Sequence, residues 1–216
     1  MSILRATRAP NLINAPQQYE SRHHDQIYRE LRVYFNVLDN ATSALFGPRG
    51  GDYLTFSYGS FYDTTDQTAA DTTTAYAVTL NTTDISQGVS IENSSQITVA
   101  EAGIYNLQFS IQFVNANANA QDTSVWLRQN GVDVPASNGD SSIPAKHGST
   151  NGKLIVAWNY FLTAAAGDFF ELMWSTDSSD ISIQYIDAQT SPTRPVTPSV
   201  ILTVTRVSDV TSDVYA

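Results

Sequence analysis

The chain lacks cysteine altogether. Without thiol groups it can form neither disulfide bonds nor cysteine-ligated metal sites, and thiolate catalysis is excluded. It also has no apolar run near the roughly 18 residues that a membrane span needs, so no membrane insertion is expected. The first residues, Met-Ser-Ile-Leu-Arg, lack the apolar centre of a signal peptide. We therefore expect a protein that is made in a cytoplasm and either stays there or leaves it by lysis.

Charged side chains are also scarce, at 15 % of the sequence, and they are unevenly distributed. Residues 1–49 contain six arginines and four acidic residues, a net charge of +2. Residues 50–216 contain five basic and seventeen acidic residues, a net charge of −12. The acidic body argues against nucleic-acid binding, which needs Lys and Arg to displace the counterions of the phosphates. The basic N-terminal segment either docks on an acidic partner or is simply solvated.

The abundant residues are apolar or polar without charge. Hydrophobic residues make up 42 % and aromatic residues 11 % of the 216 positions, enough for the core of one large domain beside a shorter arm. Thr, Ser, Asn and Gln are plentiful. This composition is typical of β-rich proteins whose outer faces are polar but uncharged.

Residues 25–46 are predicted to form an α-helix. Apolar residues recur there at alternating steps of four and three, which places them along one side of a helix. These six residues, termed the seam, are Ile27, Leu31, Tyr34, Leu38, Ala41 and Leu45. We predict that the seam joins the helices of several subunits on a common axis; the alternative is an amphipathic helix packed on its own sheet. Glycine and proline in residues 47–52 end the helix and form a linker.

Residues 1–24 are predicted to be an extended anchoring arm. Pro10 and Pro16 disfavour a long helix, and the apolar residues follow no regular period. Such a segment cannot make a core of its own, so it is either disordered or laid along a partner. The predicted anchoring residues are Arg5, Arg8, Pro10, Asn11, Leu12 and Arg22.

Residues 53–207 are predicted to form one β domain, followed by a tail at 208–216. Between Tyr105 and Phe113, large apolar residues alternate with polar ones, as in an antiparallel strand with one buried face. The predicted strands are 53–58, 75–80, 88–92, 96–99, 103–114, 123–129, 153–163, 168–175, 180–186 and 199–207. About ten strands without intervening helices predict an all-β, antiparallel, two-sheet jelly-roll sandwich, with the short helix and the arm at its N-terminus. Residues 115–120 and 136–152, rich in Asn, Gly and Ser, are predicted to be exposed loops.

Four markers in this domain resemble a known family. They are Gly103-Ile104-Tyr105-x-x-x-Phe109, Leu127-x-x-Asn130-Gly131, Leu162 followed by Gly167-Asp168 and Leu172, and the last strand, Ser199-Val200-Ile201-Leu202. In this order they are similar to the globular head of the complement recognition subunit, whose fold is shared with tumour necrosis factor (TNF). The resemblance spans roughly residues 56–207. It implies a ten-stranded, TNF-like jelly roll that forms a homotrimer.

A second resemblance concerns the N-terminus and the first part of the body. The N-terminal segments are Arg8-Ala9-Pro10-Asn11-Leu12, Ala15-Pro16 and Leu31-Arg32-x-Tyr34-Phe35-Asn36-x-x-Asp39-Asn40. The body segments are Gly59-Ser60-Phe61-Tyr62-Asp63 and Asn81-Thr82-Thr83-Asp84-x-Ser86-x-Gly88-Val89. Both are similar to structural proteins of tailed bacteriophages, notably marine, cyanophage-like ones. The resemblance implies an arm that docks on the virion and a trimeric β domain that projects from it.

No pattern predicts enzymatic chemistry. A nucleophilic triad needs a histidine oriented by a carboxylate beside a serine or cysteine, and His147 is the one histidine of the β domain. No glycine-rich loop is placed to cradle a phosphate. The aspartates near residues 63–71 and 177–180 lack the spacing of a calcium-binding loop. We therefore predict no catalytic residue, no metal and no cofactor.

These observations lead to two hypotheses of different classes. The first is a homotrimeric structural virion protein of a tailed bacteriophage, a fibre or knob-type appendage or a capsid decoration protein. It would assemble in the host cytoplasm, contact capsid, portal, collar or tail proteins through the arm, and project a β domain for adhesion to a host-surface glycan. The alternative is a free-standing, lectin-like or adhesin-like trimer.

The three tryptophans belong to the same question. Trp126, Trp158 and Trp174 all lie in predicted strands, which favours packing in the core or between subunits. The alternative is a sugar-stacking platform near residues 115–122 and 136–152.

Overall fold

The computed structural model describes residues 10–12, 14, 18, 21–46 and 56–208 of the chain. The chain divides into two compact units, Met1–Thr55 and Phe56–Ala216. The helix of the first unit, α1, spans Ser21–Phe46. It begins four residues before the predicted position because residues 21–24 are polar and add nothing to the apolar period, whereas serine is favoured where helices begin.

The second unit is built of β-strands. Its described residues form sixteen strands: β1 (Tyr58–Asp63), β2 (Gln67–Thr68), β3 (Tyr76–Ala77), β4 (Thr82–Gln87), β5 (Val89–Glu92), β6 (Gln96–Val99), β7 (Gly103–Asn115), β8 (Gln121–Gln129), β9 (Val132–Asp133), β10 (Gly139–Ile143), β11 (Gly152–Ala164), β12 (Phe169–Thr176), β13 (Ile181–Ile183), β14 (Gln189–Thr190), β15 (Thr193–Arg194) and β16 (Val200–Ser208).

The strands form two antiparallel sheets. Sheet 1 runs β11-β7-β16-β1-β4, with β13 and β2 beside the end of β7. Sheet 2 runs β10-β8-β12-β6-β5, with β9 on β8 and β3 on β12. Four pairs are nested along the chain: β1 with β16, β6 with β12, β7 with β11, and β8 with β10. This nesting is the topology of a jelly roll, so the predicted fold class is confirmed.

The core fills the space between the two sheets. Sheet 1 contributes Phe61, Tyr105 and Phe113, and sheet 2 contributes Phe170 and Trp174, each at most 1 % exposed. The rings of Phe113 and Trp174 meet across the core, with their centroids 5.8 Å apart. Because each large apolar side chain contributes about 1.5–3 kcal/mol when fully buried, these contacts hold the sheets face to face.

The central strand β7 has the predicted alternation. Its inward residues, from Tyr105 to Phe113, are 0–4 % exposed, whereas Gln108 on the opposite face is exposed. Gly103, at the start of this strand, allows a close crossing: a Cβ there would lie 2.5 Å from Arg206 Nε and 2.7 Å from Ser208 O. The Tyr105 hydroxyl donates to Glu101 O at 2.7 Å. The glycine-x-tyrosine marker is therefore a packing feature at the edge of the core.

The first strand differs from the prediction. A strand was expected at 53–58, of which 53–55 lie outside the described residues, and the structure places β1 at Tyr58–Asp63. The one large apolar residue on its buried face is Phe61, so its sequence shows little alternation. Asp63 is 1 % exposed at the end of the strand because its carboxylate accepts a hydrogen bond from the Thr65 N–H at 2.7 Å.

The two predicted exposed loops are wrong in part. Asn115 ends β7 and is fully buried, and its Nδ2 donates to Asn119 O at 2.9 Å and to Ile143 O at 3.1 Å. Strand β10 lies within 136–152 and pairs with β8. Ile143 is the one large apolar residue in β10, so the sequence of this strand shows no apolar alternation. Its position is set by pairing with the neighbouring strand.

Candidate functional site

The helix presents the predicted seam as its less exposed side. Ile27, Leu31, Tyr34 and Leu38 are half-buried, and so is Ala41. The Leu45 side chain lies outside the described part of the chain. The off-seam residues Tyr28, Val33, Phe35 and Val37 are 46–65 % exposed, so α1 has apolar surface on more than one side. The trimerising role of the seam stays a prediction.

The predicted anchoring residues are only partly described. Pro10 is half-buried, Asn11 is exposed and Leu12 is 42 % exposed, while Arg5 and Arg8 lie outside the described residues. Arg22 is exposed in the first turn of α1. The docking role of these residues stays a prediction.

Sheet 1 carries a surface that the sequence analysis did not identify. The outward residues of β1, β7, β11 and β16 form cross-strand rows, of which one runs Tyr58, Thr205, Asn106, Phe161. We term the whole surface the uncharged face: Tyr58, Ser60, Tyr62, Asn106, Gln108, Ser110, Gln112, Ile155, Ala157, Asn159, Phe161, Ile201, Thr203 and Thr205. None of these side chains is charged, although the body has a net charge of −12. Lys153, the next outward residue of β11 before Ile155, is charged and borders the face.

Large apolar side chains stand exposed on this face. Phe161 is 66 % exposed, Ile155 61 % and Ile201 41 %. A signal was present in the sequence, because β11 is apolar at inward positions such as Val156 and Leu162 and also at the outward positions Ile155 and Phe161. Strands that are apolar on both faces are usually covered on both faces.

A buried polar atom lies beside Phe161 on the uncharged face. Asn106 stands between Phe161 and Thr205 in the strand register. Its Oδ1 is buried and has no hydrogen-bond partner among the described residues. Since buried polar atoms are nearly always paired, this oxygen is an exception within the chain's own packing.

The Asn130-Gly131 marker lies in the β8–β9 turn and the Gly167-Asp168 marker in the β11–β12 turn, and the two turns are hydrogen-bonded to each other. Asn130 Nδ2 donates to Asp168 Oδ1 at 2.9 Å, and the Phe169 N–H donates to Asn130 Oδ1 at 3.0 Å. The Ala165 N–H and Gln129 Nε2 donate to Asp168 Oδ2 at 2.9 and 3.0 Å. The hydrogen bond from Ala165, followed by that from Asn130, lowers the pKa of Asp168 from its ordinary value of 3.8. These residues therefore fasten two turns together and are structural.

Three other aspartates also accept hydrogen bonds from the protein, within a turn at Asp71 and across the fold at Asp66 and Asp180. The N–H of Thr73 and its hydroxyl donate to Asp71 Oδ1 and lower the pKa of Asp71 to about 2. Asp66 Oδ1 accepts from the Tyr185 N–H at 2.7 Å, and Asp180 Oδ2 from Asn117 Nδ2 at 2.7 Å. In the part of the chain that the structure describes, no group of three or more His, Cys, Asp or Glu is placed to hold a metal ion.

His147 lies in a short loop that pairs its backbone with Thr150 (N···O 2.8 and 3.0 Å). Among the described residues, its imidazole makes no hydrogen bond to a carboxylate or a serine. No described helix has the length and apolar character required to cross a membrane.

The tryptophans divide between the core and the surface. Trp174 is 1 % exposed in the core. Trp158 faces inward on β11, with its ring 5.8 Å from that of Phe109, and it lies against Gly139, where a Cβ would come within 2.3 Å of the indole. Trp126 alternates with the buried Val125 and Leu127, so it points outward from sheet 2. Core packing is thus confirmed for two of the three.

Comparisons with known proteins give a structural similarity and nothing at the level of sequence. No family model matches the chain, and no curated protein matches it. Among solved structures, the crystal structure of murine APRIL at pH 5.0 superposes with a TM-score of 0.48 and 11 % identity, covering 71 % of this chain and 100 % of that one. APRIL is a TNF-family jelly roll. The match is a likeness of overall fold, and no residue role is transferred from it.

Proposed function

We propose that the chain is a homotrimeric structural and binding module whose subunits meet through the uncharged face of sheet 1. The observation that carries this proposal is the coincidence of exposed Phe161, Ile155 and Ile201 with the absence of charge, on a body of net charge −12. Two copies of such a body repel one another wherever their carboxylates approach. A contact between copies therefore belongs on the surface that carries none.

The area of the uncharged face limits how much of the trimer interface it can form. Four strands about 4.8 Å apart, each contributing five to seven residues, give a surface of about 20 by 20 Å, roughly 400 Å² in projection. A stable protein interface buries about 800 Å² per partner. The face thus accounts for about half of what is needed, and the seam of α1 is the natural source of the rest.

The trimer is tested by sedimentation of the full chain, of 23.6 kDa, at micromolar concentration. Wild-type protein should sediment with a mass near three chains. Phe161→Glu places a carboxylate from every subunit in the interface and should weaken assembly at least about tenfold, since an unpaired buried charge costs several kcal/mol. The fold should be retained, because Phe161 is 66 % exposed.

Val132→Glu is the matched control. Val132 is 71 % exposed on the β8–β9 hairpin of sheet 2, so it introduces the same charge away from the face. It should remain a trimer. A wild-type monomer, or equal behaviour of the two variants, would show that the face is not the interface.

The biological role that we propose is that of a structural virion protein of a tailed bacteriophage. Its support is the resemblance of the N-terminal and body segments described above, together with an arm that has no core of its own. The arm would dock on capsid, portal, collar or tail proteins, after assembly in the host cytoplasm, and the β domain would project outward. Mass spectrometry of purified particles tests this role: the protein should be a stoichiometric component.

A free-standing binding trimer is the second candidate, favoured by the open cavity at Trp126. If the protein is absent from purified particles but forms a normal trimer in solution, this candidate is supported over the virion protein.

A further inference from the structure

An open cavity of about 380 Å³ lies on the outer side of sheet 2. Trp126, Asp133, Asn138 and Ser175 contribute to its lining. Sheet 2 is opposite the uncharged face, so the proposed trimer leaves this cavity open. Its volume is at the lower end of the roughly 300–1,000 Å³ found for small-molecule sites, which suits one or two sugar rings.

The orientation of the Trp126 ring is fixed within the protein. Its Nε1–H donates to Asp133 Oδ1 at 2.9 Å, and Arg128 Nε donates to the same oxygen at 2.8 Å. Met173, directly opposite Trp126 in the β8–β12 register, is 3 % exposed although it lies on the outer side of the sheet. The indole is therefore held as a half-buried aromatic wall and not as a mobile surface side chain.

Polar groups near the Trp126 ring can accept further hydrogen bonds. The Asp133 side chain is 56 % exposed, and its Oδ2 accepts no hydrogen bond from the described residues. Asn138 Nδ2 donates to Asp140 Oδ1 at 3.3 Å, which leaves its Oδ1 as an acceptor beside the cavity. Arg128, the nearest cation, is already paired with Asp133.

The segment that carries Val134, Ala136 and Asn138, which also line the cavity, is rigid as well. The Leu127 N–H donates to Ser137 Oγ at 3.0 Å, and Ser137 Oγ donates to Val134 O at 2.8 Å. The Tyr160 hydroxyl donates to Ser137 O at 2.7 Å. Ala136, which precedes Ser137 in the chain, adopts a left-handed conformation with φ of 60°. A site formed before its ligand arrives loses less conformational entropy on binding.

We propose that this cavity binds a neutral sugar, whose C–H face stacks on Trp126 and whose neighbouring hydroxyls bond to Asp133 Oδ2 and Asn138. An aromatic ring presents a partly negative face to the C–H groups of a sugar, and a few fixed polar groups give direction to the hydroxyls. Asp133 and Asp140 disfavour anionic sugars, and none of the described residues that line the cavity is a cation that could bind a phosphate. The biological role of this binding rests on the proposed function as a binding module. The binding itself can be measured on the purified protein.

The experiment is saturation-transfer difference NMR of the full-length protein with lactose, maltose and N,N′-diacetylchitobiose, and with glucuronic acid as the anionic comparison. At least one neutral sugar should receive saturation at its ring C–H protons, and glucuronic acid should receive less. Trp126→Ala should weaken binding at least about tenfold, as expected for an aromatic anchor. Asp133→Asn should weaken it less, and Val132→Ser, on the same hairpin but outside the cavity lining, should leave it unchanged.

Trp126→Phe guards against misfolding of the alanine variant, because it keeps an apolar ring while it removes the bond to Asp133 and part of the stacking surface. It should fold and bind more weakly than wild type. If none of the neutral sugars receives saturation, or if both Trp126 variants bind like wild type, the proposal is wrong. Sedimentation of the same samples reports the trimer separately, so a failure of sugar binding is distinguished from a failure of assembly.

Discussion

At the residue scale, the structure explains why several short sequence markers lie where they do. Gly103 permits the crossing of Arg206, whose Nε and Nη2 both donate to Ala102 O, at 3.0 and 2.8 Å. Asn130 and Asp168, 38 positions apart in the chain, close two turns over one another. These residues set the ends of the sandwich and do not form a ligand site.

The Asp168 carboxylate should make stability depend on pH. Its pKa is lowered in the folded protein by the N–H of Ala165 and the amide of Asn130. Its contribution is therefore fully present above the unfolded value, near 3.9, and is lost as the pH falls through the lower folded value. Asp168→Asn should reduce the free energy of unfolding by about 1 kcal/mol at pH 7, a modest value because the group is partly exposed. At pH 3 the reduction should be smaller.

Urea unfolding of wild type and variant at both pH values measures this difference. Asp84→Asn is the control, because the Asp84 carboxylate is exposed and accepts no hydrogen bond from the described residues. An equal loss of stability at pH 7 and pH 3 would show that the amide disrupts packing and that the charge is not the cause.

At the element scale, α1 and β11 share one property: each is apolar on more sides than its own unit covers. Val33 and Phe35 of the helix are 59 % and 55 % exposed, and Ile155 and Phe161 of the strand are 61 % and 66 % exposed. A helix of this kind derives most of its stability from packing against partners, because intrinsic propensity adds little. Both elements are therefore expected to be completed by other copies of the chain.

The double substitution Leu31→Asp with Leu38→Asp should separate the helices. The carboxylates would lie on the subunit axis, where burial without a partner costs several kcal/mol. We expect loss of helical circular dichroism and weaker assembly, while the thermal unfolding of the β domain is unchanged because its core contains no residue of α1.

The matched control is Asn36→Asp with Asn40→Asp, which adds the same charge to exposed polar positions of the same helix. It should retain assembly. If the seam variant unfolds the sheets at the temperature at which it melts the helix, the two units do not behave as separate modules.

At the scale of the whole molecule, charge separates the roles of the parts. Residues 1–49 have a net charge of +2 and residues 50–216 a net charge of −12. Under the proposed function, the arm contacts the particle. The acidic β domains repel one another except where their uncharged faces meet.

Deletion of residues 1–20 tests this arrangement. The truncated protein should be a soluble, folded trimer that no longer joins particles, because an arm without a core orders only on its partner, where its arginines can pair. Particles that lack the protein are mixed with purified truncated protein, and incorporation is measured. Full-length Lys146→Ala, in the 136–152 segment of the body, is the control and should be incorporated normally. Undiminished incorporation of the truncated protein would place the attachment on the helix or the body.

The sequence determined the fold class and the position of the strands with one apolar face. In β7, the alternation from Tyr105 to Phe113 has only one arrangement that buries its large side chains, so periodicity alone predicted it. The same holds for the helix, whose seam follows from spacing. Strands β1, β4 and β10 were not predicted because their sequences lack an apolar period, and their positions are set by pairing with neighbouring strands.

Both candidate surfaces were decided by tertiary structure. The uncharged face joins residues from β1, β7, β11 and β16, whose side chains become neighbours only through the nested pairing of a jelly roll. The cavity at Trp126 likewise needs the β8–β9 hairpin to bring Asp133 to the indole, and the hydrogen bonds of Ser137 to hold residues 134–138 in place. The sequence determines which faces must be buried, because burial depends on the local period of apolar residues. Which polar residues meet depends on strand order and register, and these are fixed by the packing of the whole core.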